Sequence, residues 1–283
     1  MASPRAFPFV QLEFPFALGP ASGRYVVRSR PDAEARRVIV LGTEKAARAR
    51  RRGRRRLRSS DGAEPPTVRV ARATVIGAAP LRTSADAHAW LGALRADERA
   101  LDAELGDAVG ELNGLLRAHR AASADPHARD VSLDRALEVR VGYGAGELVA
   151  EGRFDAALEV DGAARAPARA NLLAPQERTA SILAGREEVP PSEELVLRAR
   201  ADLEARRPRE GALQARVALE CLLAELAGSS DPGMADLELA RAPVSEAANA
   251  ALAGEPAPEL VARVNGAVEL MAGAVRRRAL RPR

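Results

Sequence analysis

The feature that most constrains this fold is a change in the spacing of apolar residues near residue 84. In residues 8–16 the apolar side chains alternate with polar ones, which is the pattern of a half-buried β-strand. From Ser84 onwards leucines recur every three or four residues, which is the pattern of an amphipathic α-helix. Because the two periods occupy separate parts of the 283-residue chain, we predict an α+β fold.

Four segments before residue 80 carry strand patterns, and turn or polar residues separate them. The segments are residues 8–16, Arg24–Ser29, Arg37–Leu41 and Thr67–Ile76. In the first strand, Gln11 and Glu13 fall on the side opposite the apolar residues and are expected to face solvent. The polar link Arg30–Arg36 predicts a hairpin whose loop is longer than two residues. We therefore predict a small N-terminal antiparallel β unit over residues 1–80.

The leucine pattern predicts one long helix over residues 84–122, of about ten turns. Its apolar seam follows a near-heptad spacing and is formed by Leu91, Leu94, Leu101, Leu105, Leu112 and Leu115. Gly106, Gly110 and Gly114 lie nearly opposite this seam. Each glycine costs a helix about 1 kcal/mol relative to alanine. We therefore expect a second helix to pack closely against the three glycines, and a soft helix end is the alternative.

Residues 132–283 carry no convincing series of strands and predict a C-terminal α-helical hairpin domain. Signals for the start of a helix occur at Pro190–Glu194 and at Pro208. A final helix is predicted over residues 257–278. The apolar residues of 133–148 also recur at helical spacing, so the helical interpretation extends to that segment.

Two segments carry much of the positive charge. The Arg-rich segment, residues 45–58, holds nine basic residues and no acidic one, and the C-terminal basic segment, residues 276–283, holds five. Removing these fourteen charges from the net charge of +4 leaves −10 for the rest of the chain. Blocks of like charge repel one another and stay unfolded until an anion binds them. We therefore predict a disordered loop over residues 45–66.

The Arg-rich segment is the candidate nucleic-acid-binding site, because arginine side chains neutralise backbone phosphates. The arginines that would do so are Arg48, Arg50, Arg51, Arg52, Arg54, Arg55, Arg56 and Arg58. No aromatic residue interleaves with them, so base stacking is not indicated. A solvated loop that binds nothing is the alternative interpretation.

A glycine-rich motif, Gly142–Gly146, is the second candidate site. If residues 137–141 form a strand and 147–151 begin a helix, the motif resembles a nucleotide-binding βαβ turn or the first motif of class I methyltransferases. This resemblance implies a bound nucleotide or S-adenosylmethionine, with Asp161 holding a ribose. The intervening helix would have only about eight residues and contains Gly152, so an amphipathic helix without a ligand is the preferred interpretation.

The sequence shows no catalytic or metal-binding constellation. His88, His119 and His127 lack the paired spacing of a zinc site. Cys221 lies in an apolar run that predicts a position in the core. The chain also lacks a Gly-x-Ser-x-Gly nucleophile turn and a phosphate-binding Gly-Lys-Ser/Thr loop. We therefore expect neither a cofactor nor a metal.

Signals for helix packing outnumber those for catalysis, and this orders the functional hypotheses. The first is a non-enzymatic interaction or scaffold protein that binds another protein or a second copy of itself, with basic appendages for anionic partners. The second is a nucleic-acid-binding protein, and the third is a nucleotide- or S-adenosylmethionine-dependent enzyme. The single cysteine excludes a disulfide scaffold, and no apolar stretch approaches the roughly 18 residues of a membrane span. The N-terminus does not have the pattern of a signal peptide, so a cytoplasmic location is expected.

Overall fold

A computed structural model of the chain describes residues 5–47, 67–162, 175–229 and 231–279. Within these ranges, an antiparallel sheet and a helical C-terminal region confirm the predicted α+β class. Among the described helices, none combines the length with the apolar content that a membrane span requires.

The chain divides into two compact units, Met1–Pro167 and Ala168–Arg283. The described strands and the first two α-helices belong to the first unit. They are β1 (Ala6–Phe14), β2 (Gly23–Val27), β3 (Arg37–Ala47), β4 (Thr67–Gly77), α1 (Ser84–Ala96), α2 (Glu98–Ser123), β5 (Glu138–Ala145) and β6 (Ala156–Val160). The second unit contains α3 (Pro175–Leu183), α4 (Pro191–Glu204), α5 (Pro208–Leu226), α6 (Met234–Ala253) and α7 (Pro258–Ala279).

The six strands form one antiparallel sheet in the order β2-β3-β4-β1-β5-β6. The four predicted N-terminal strands are all present, and β2 and β3 form the predicted hairpin with a long loop. The sheet gains two further strands, β5 and β6, from the region that we predicted to be helical. Its strand order places β1 and β4 at the centre, where their apolar residues are buried most completely.

One face of the sheet packs against α1 and α2. Alternate residues of β1, namely Val10, Leu12 and Phe14, enter this core together with Ile39 and Val141 from other strands. The leucine seam of the helices packs against them, because a period of 3.6 residues places those leucines on one helical face. Within the described residues, the seam therefore packs against the sheet.

The predicted single helix over residues 84–122 is interrupted at Asp97. Asp97 has an extended backbone, with φ −121° and ψ 105°, and its side chain accepts hydrogen bonds from the N–H groups of Arg99 and Ala100. It thereby caps the N-terminus of α2. Its own backbone N–H donates to the Ala93 oxygen and ends α1. The leucine spacing continues across the break because both helices pack against the same face of the sheet.

The expectation that a helix packs closely on the glycine face of α2 is not met within the described residues. A Cβ atom added at Gly106 or Gly110 would have no described atom within 4 Å, and one at Gly114 would meet only the end of Arg117 at 3.9 Å. The described residues of the first unit therefore leave the outer face of α2 uncovered.

The segment that follows α2 is not helical, which corrects our prediction for residues 132–160. Short 3₁₀ turns at Leu133–Arg135 and Gly146–Glu151 flank β5, and β6 follows the second of them. β5 pairs with β1, and β6 pairs with β5. Strand pairing prevails over local helical spacing here because the sheet buries alternate residues of β5, including Val139, Val141 and Tyr143.

The second unit is a helical bundle, as predicted for most of its length. Helices α4 and α5 begin at Pro191 and Pro208, where proline is favoured in the first turn, and α7 covers the predicted final helix. Helix α6 was not predicted as an individual element. Helices α4, α5 and α6 each pack against the helix that follows, and α7 also contacts α4.

The core of the bundle consists of leucine, valine and methionine residues set among many alanines. Leu222, Met271, Ala215 and Ala247 are fully buried in it. Cys221 is only half-buried, which corrects its predicted core position. The small alanine side chains allow neighbouring helices to approach one another closely.

Candidate functional site

Strands β3 and β4 hold the residues from which the Arg-rich connection leaves the sheet and to which it returns. These strands pair from Arg37↔Gly77 to Ala47↔Thr67, whereas β1 pairs with β4 only as far as Ala71 and β2 pairs with β3 only as far as Leu41. The last part of the hairpin therefore extends beyond its pairing with the neighbouring described strands. Paired residues of an antiparallel ladder lie about 5 Å apart, so the two ends of the connection between Ala47 and Thr67 are held side by side.

All eight predicted binding residues lie outside the described part of the chain. These are Arg48, Arg50, Arg51, Arg52, Arg54, Arg55, Arg56 and Arg58. The predicted start of the loop at residue 45 is wrong, because Lys45, Ala46 and Ala47 belong to β3 and pair with β4. In the backbone register, Lys45 pairs with Arg69.

A charged row crosses the sheet next to this part of the hairpin, on the face away from α1 and α2. Arg72 donates from Nε and Nη2 to Oε1 of Glu13, at 3.0 and 2.8 Å. Arg140 lies 3.6 Å from the same Glu13 oxygen and also pairs with Glu138. The row exists because Glu13 is the register partner of both Arg72 and Glu138, which adjacent strands bring to one line.

A neutral polar row lies beside the charged one and is more deeply buried. The side-chain amide of Gln11 donates to Thr74 Oγ1 and to the backbone oxygen of Val149, both at 3.1 Å. Arg140 Nη1 donates to Gln11 Oε1 at 3.2 Å. Gln11 is therefore buried and not exposed to solvent as we predicted, because the 3₁₀ turn at Gly146–Glu151 lies over this part of the sheet. The sequence alone carries no signal for this arrangement, since it depends on the register of four separate segments.

The charged row holds one carboxyl group that is not fully compensated. Burial raises the pKa of Glu138, and the negative charges of Glu13 and Glu159 raise it further, against the opposing effect of Arg140. Glu138 is thus the pH-sensitive group of the row. The four charged side chains of the row pair with one another across β4, β1 and β5, so the row holds these three strands in register.

The glycine-rich motif Gly142–Gly146 is part of the sheet. Gly142 and Gly144 lie in β5, which pairs with β1 and β6 in antiparallel fashion. A Cβ atom on Gly142 would lie 2.2 Å from the backbone oxygen of Ala156, and one on Gly144 would lie 2.8 Å from Val149 Cγ1. The glycines thus permit close packing of the chain's own backbone. A nucleotide-binding βαβ turn joins a strand to an α-helix that leads to a parallel strand, whereas β5 is followed by a 3₁₀ turn and pairs with an antiparallel β6.

Two of the three histidines make contacts within the fold, and the third lies in α2. The His88 ring lies 5.5 Å from the ring of Tyr143, and its Nδ1 atom is 2.8 Å from the Ser84 oxygen. His119 lies near the end of α2, and the His127 N–H donates to Asp125 in the turn that follows. Within the described residues, no group of three His, Cys, Asp or Glu side chains is placed to hold a metal ion.

Comparison with known proteins gives no relative for this chain. No protein-family model matches it, and neither a curated protein nor a solved structure is significantly similar to it. Functional inference therefore rests on the chain's own residues.

Proposed function

We propose that this chain is a non-enzymatic binding protein that contacts nucleic acid through its Arg-rich segment. The observation that supports this proposal is the β3–β4 hairpin, which holds the two ends of the connection side by side. Eight arginines are thus confined to a short length of chain that leaves and re-enters the sheet at one point. Such concentrated positive charge provides the phosphate contacts that supply most non-specific affinity for nucleic acid.

The charge of the rest of the chain makes this segment the natural place for an anionic partner. Without the two basic segments the chain carries a net charge of −10, so most of its surface repels a polyanion. The lack of interleaved aromatic residues favours contact with phosphates over recognition of bases.

The test is a binding titration with two variants that each remove three positive charges. One is Arg54→Gln/Arg55→Gln/Arg56→Gln in the Arg-rich segment. The matched control is Arg95→Gln/Arg99→Gln/Arg129→Gln, which removes three exposed arginines of the first unit. Fluorescence anisotropy with labelled duplex DNA and with single-stranded RNA gives the affinities.

We expect the segment variant to weaken binding at least about tenfold and the control to weaken it by less than about threefold, because only the segment is expected to contact phosphates. Equal losses in the two variants would contradict the proposal. Absence of binding by the unaltered chain at low salt would contradict it as well.

A protein partner, or a second copy of the chain, is the second candidate. It is favoured by the exposure of three leucines on helices of the second unit, with Leu183, Leu239 and Leu252 each more than two-thirds exposed. Light scattering across a range of concentrations tests self-association, and affinity capture tests a different partner. A monomer at all concentrations, with nothing captured, would leave nucleic-acid binding as the one remaining proposal.

A further inference from the structure

The last turn of α7 carries three consecutive arginines, Arg276, Arg277 and Arg278, which belong to the C-terminal basic segment. Two of them are engaged within the second unit. Arg277 Nη2 donates to Asp231 Oδ1 at 2.8 Å, and the carboxylate of Asp231 is completely buried. A buried carboxylate is costly unless a cation or several hydrogen bonds compensate it.

The connection between α5 and α6 is shaped to receive the Arg277 side chain. Asp231 Oδ1 accepts a second hydrogen bond, from the N–H of Gly233, at 2.8 Å. A Cβ atom on Gly233 would lie 2.4 Å from Arg277 Nη2. The guanidinium therefore lies against the backbone at a position where any side chain would displace it.

Arg278 makes the equivalent attachment at the start of α4. Its Nη1 atom donates to Glu225 Oε2 at 2.9 Å, and the same carboxylate accepts from Ser192 Oγ at 2.5 Å and from the Ser192 N–H at 3.0 Å. The residue before α4 is Pro190, which makes no side-chain capping bond. Glu225, at the end of α5, thus caps α4 from a different helix, and Arg278 supports that cap.

We propose that the last turn of α7 is a strap that closes one end of the bundle, with Arg277 and Arg278 as its two attachment points. The strap joins the start of α4, the end of α5 and the α5–α6 connection. Arg277 and Arg278 neutralise carboxylates of their own chain and are withheld from anionic partners while the bundle is closed. The two basic segments of the chain therefore differ in role, because the C-terminal one is partly consumed by the fold.

The neighbouring Arg276 provides a matched control, since its side chain is exposed and lies in the same helical turn. Full-length Arg276→Ala, Arg277→Ala and Arg278→Ala are compared by thermal unfolding and by hydrogen exchange of peptides covering residues 190–195 and 226–235. We expect Arg277→Ala and Arg278→Ala to lower the melting temperature by about 5 °C or more, and Arg276→Ala to lower it by less than about 2 °C.

Hydrogen exchange locates the effect. Arg278→Ala should accelerate exchange in residues 190–195, and Arg277→Ala should accelerate it in residues 226–235. Equal destabilisation by all three variants, or faster exchange that avoids both peptides, would overturn the proposal.

A double-mutant cycle separates loss of the ion pair from loss of packing by the long arginine side chain. Asp231→Asn retains an oxygen for the Gly233 N–H but leaves no buried charge. In the Asp231→Asn background, Arg277→Ala should therefore lower the melting temperature by less than half as much as it does in the unaltered chain. An equal loss in both backgrounds would show that Arg277 acts through packing and would remove it as an attachment point.

Nucleic-acid binding distinguishes the strap from the proposed function. If the strap is correct, Arg277→Ala and Arg278→Ala weaken binding no more than Arg276→Ala does. A larger loss of affinity at low temperature, where the bundle stays folded, would show that these arginines face the partner and would overturn the strap. Failure of the chain to bind nucleic acid would leave the stability and exchange results as the test of the strap.

Discussion

The two units of the molecule bury their apolar residues in different ways. The sheet unit uses large and branched side chains, and Tyr143, Phe9, Phe14 and Ile39 are among its most completely buried residues. The bundle contains no aromatic residue, because the last one in the sequence is Phe154, and its core relies on alanine and leucine. A sheet leaves about 10 Å to the layer above it, which large side chains must fill, whereas helices can approach closely over small residues.

The two units also place their charges differently. In the sheet unit, cross-strand register brings Arg72, Glu13 and Arg140 into one row. In the bundle, two ion pairs lie at one end, where Asp231 and Glu225 receive arginines from α7. Charges fix the lateral alignment of the strands in one unit and hold the ends of the helices in the other.

We expect the greatest loss of stability from a substitution at Gly142, where β5 and β6 approach each other closely. In Gly142→Ala the new Cβ atom meets the backbone of β6, so we expect a loss of about 3 kcal/mol or more in the free energy of unfolding. Gly42→Ala in β3 is the matched control, because a Cβ atom there has nothing within 4 Å. Urea unfolding gives both values. A neutral Gly142→Ala variant would contradict the placement of this motif in the sheet.

A smaller effect is expected at Asn113, a buried residue of α2 that holds the chain after the helix. Its side chain donates to the Val131 oxygen at 2.9 Å and accepts from the Val131 N–H at 2.7 Å. Asn113→Ala leaves both backbone groups unsatisfied and should cost about 2 kcal/mol or more. Asn265→Ala, at an exposed site in the bundle, should change stability by less than about 0.5 kcal/mol in the same unfolding assay. Similar values for the two variants would show that the Val131 contact is not an anchor.

Lowering the pH should have opposite effects on the stability that Glu138 contributes to the sheet unit and that Glu225 contributes to the bundle. The pKa of Glu138 in the sheet unit is raised from 4.5, so its contribution to stability is full below pH 4.5 and is lost as the pH rises through the raised value. In the bundle, burial would raise the pKa of Glu225, but hydrogen bonds from Ser192 and Arg278 outweigh burial and lower it from 4.5. The contribution of Glu225 is therefore present above pH 4.5 and is lost as the pH falls through the lowered value.

Two variants separate these effects in unfolding measurements between pH 3 and 8. Glu138→Gln should reduce the loss of stability of the sheet unit between pH 4.5 and neutrality. Glu225→Gln should destabilise the bundle at neutral pH, and its difference from the unaltered chain should shrink below pH 4.5. The same pH dependence in both variants would contradict the assignment of opposite signs.

The smallest change in stability is expected on the outer face of α2. Gly106→Ala removes a poor helix former from a position with open space around it, so it should stabilise the sheet unit by about 1 kcal/mol. Urea unfolding of the variant measures this gain. A destabilised variant would indicate that another part of the protein, or a second copy, packs on that face.

The sequence was sufficient to predict those helices and strands whose signals lie within the element itself. Helices α5 and α7 combine a proline in the first turn with a continuous apolar face, and neither signal requires knowledge of distant residues. Strands β1 and β4 alternate clearly because each has one strongly apolar side. The fold class followed from these elements.

The sequence was insufficient where position depends on distant partners. The segment 133–148 has apolar residues at helical spacing, but pairing with β1 makes residues 138–145 a strand. The break at Asp97 interrupts no apolar pattern, although an aspartate followed by Glu98 is a recognisable start of a helix. The strap was missed for a similar reason, because Arg277 appears in the sequence as one member of a basic tail.

If the Arg-rich segment binds nucleic acid through phosphate contacts, the affinity must fall steeply as the salt concentration rises. The logarithm of the association constant for duplex DNA is measured against the logarithm of the NaCl concentration. We predict a linear decrease with a slope of about −3 or steeper, since each neutralised phosphate contributes about −0.9. The slope should become shallower by up to about 3 in Arg54→Gln/Arg55→Gln/Arg56→Gln and should not change in Arg95→Gln/Arg99→Gln/Arg129→Gln. A slope near zero, or the same slope in all three proteins, would show that the Arg-rich segment makes no phosphate contacts.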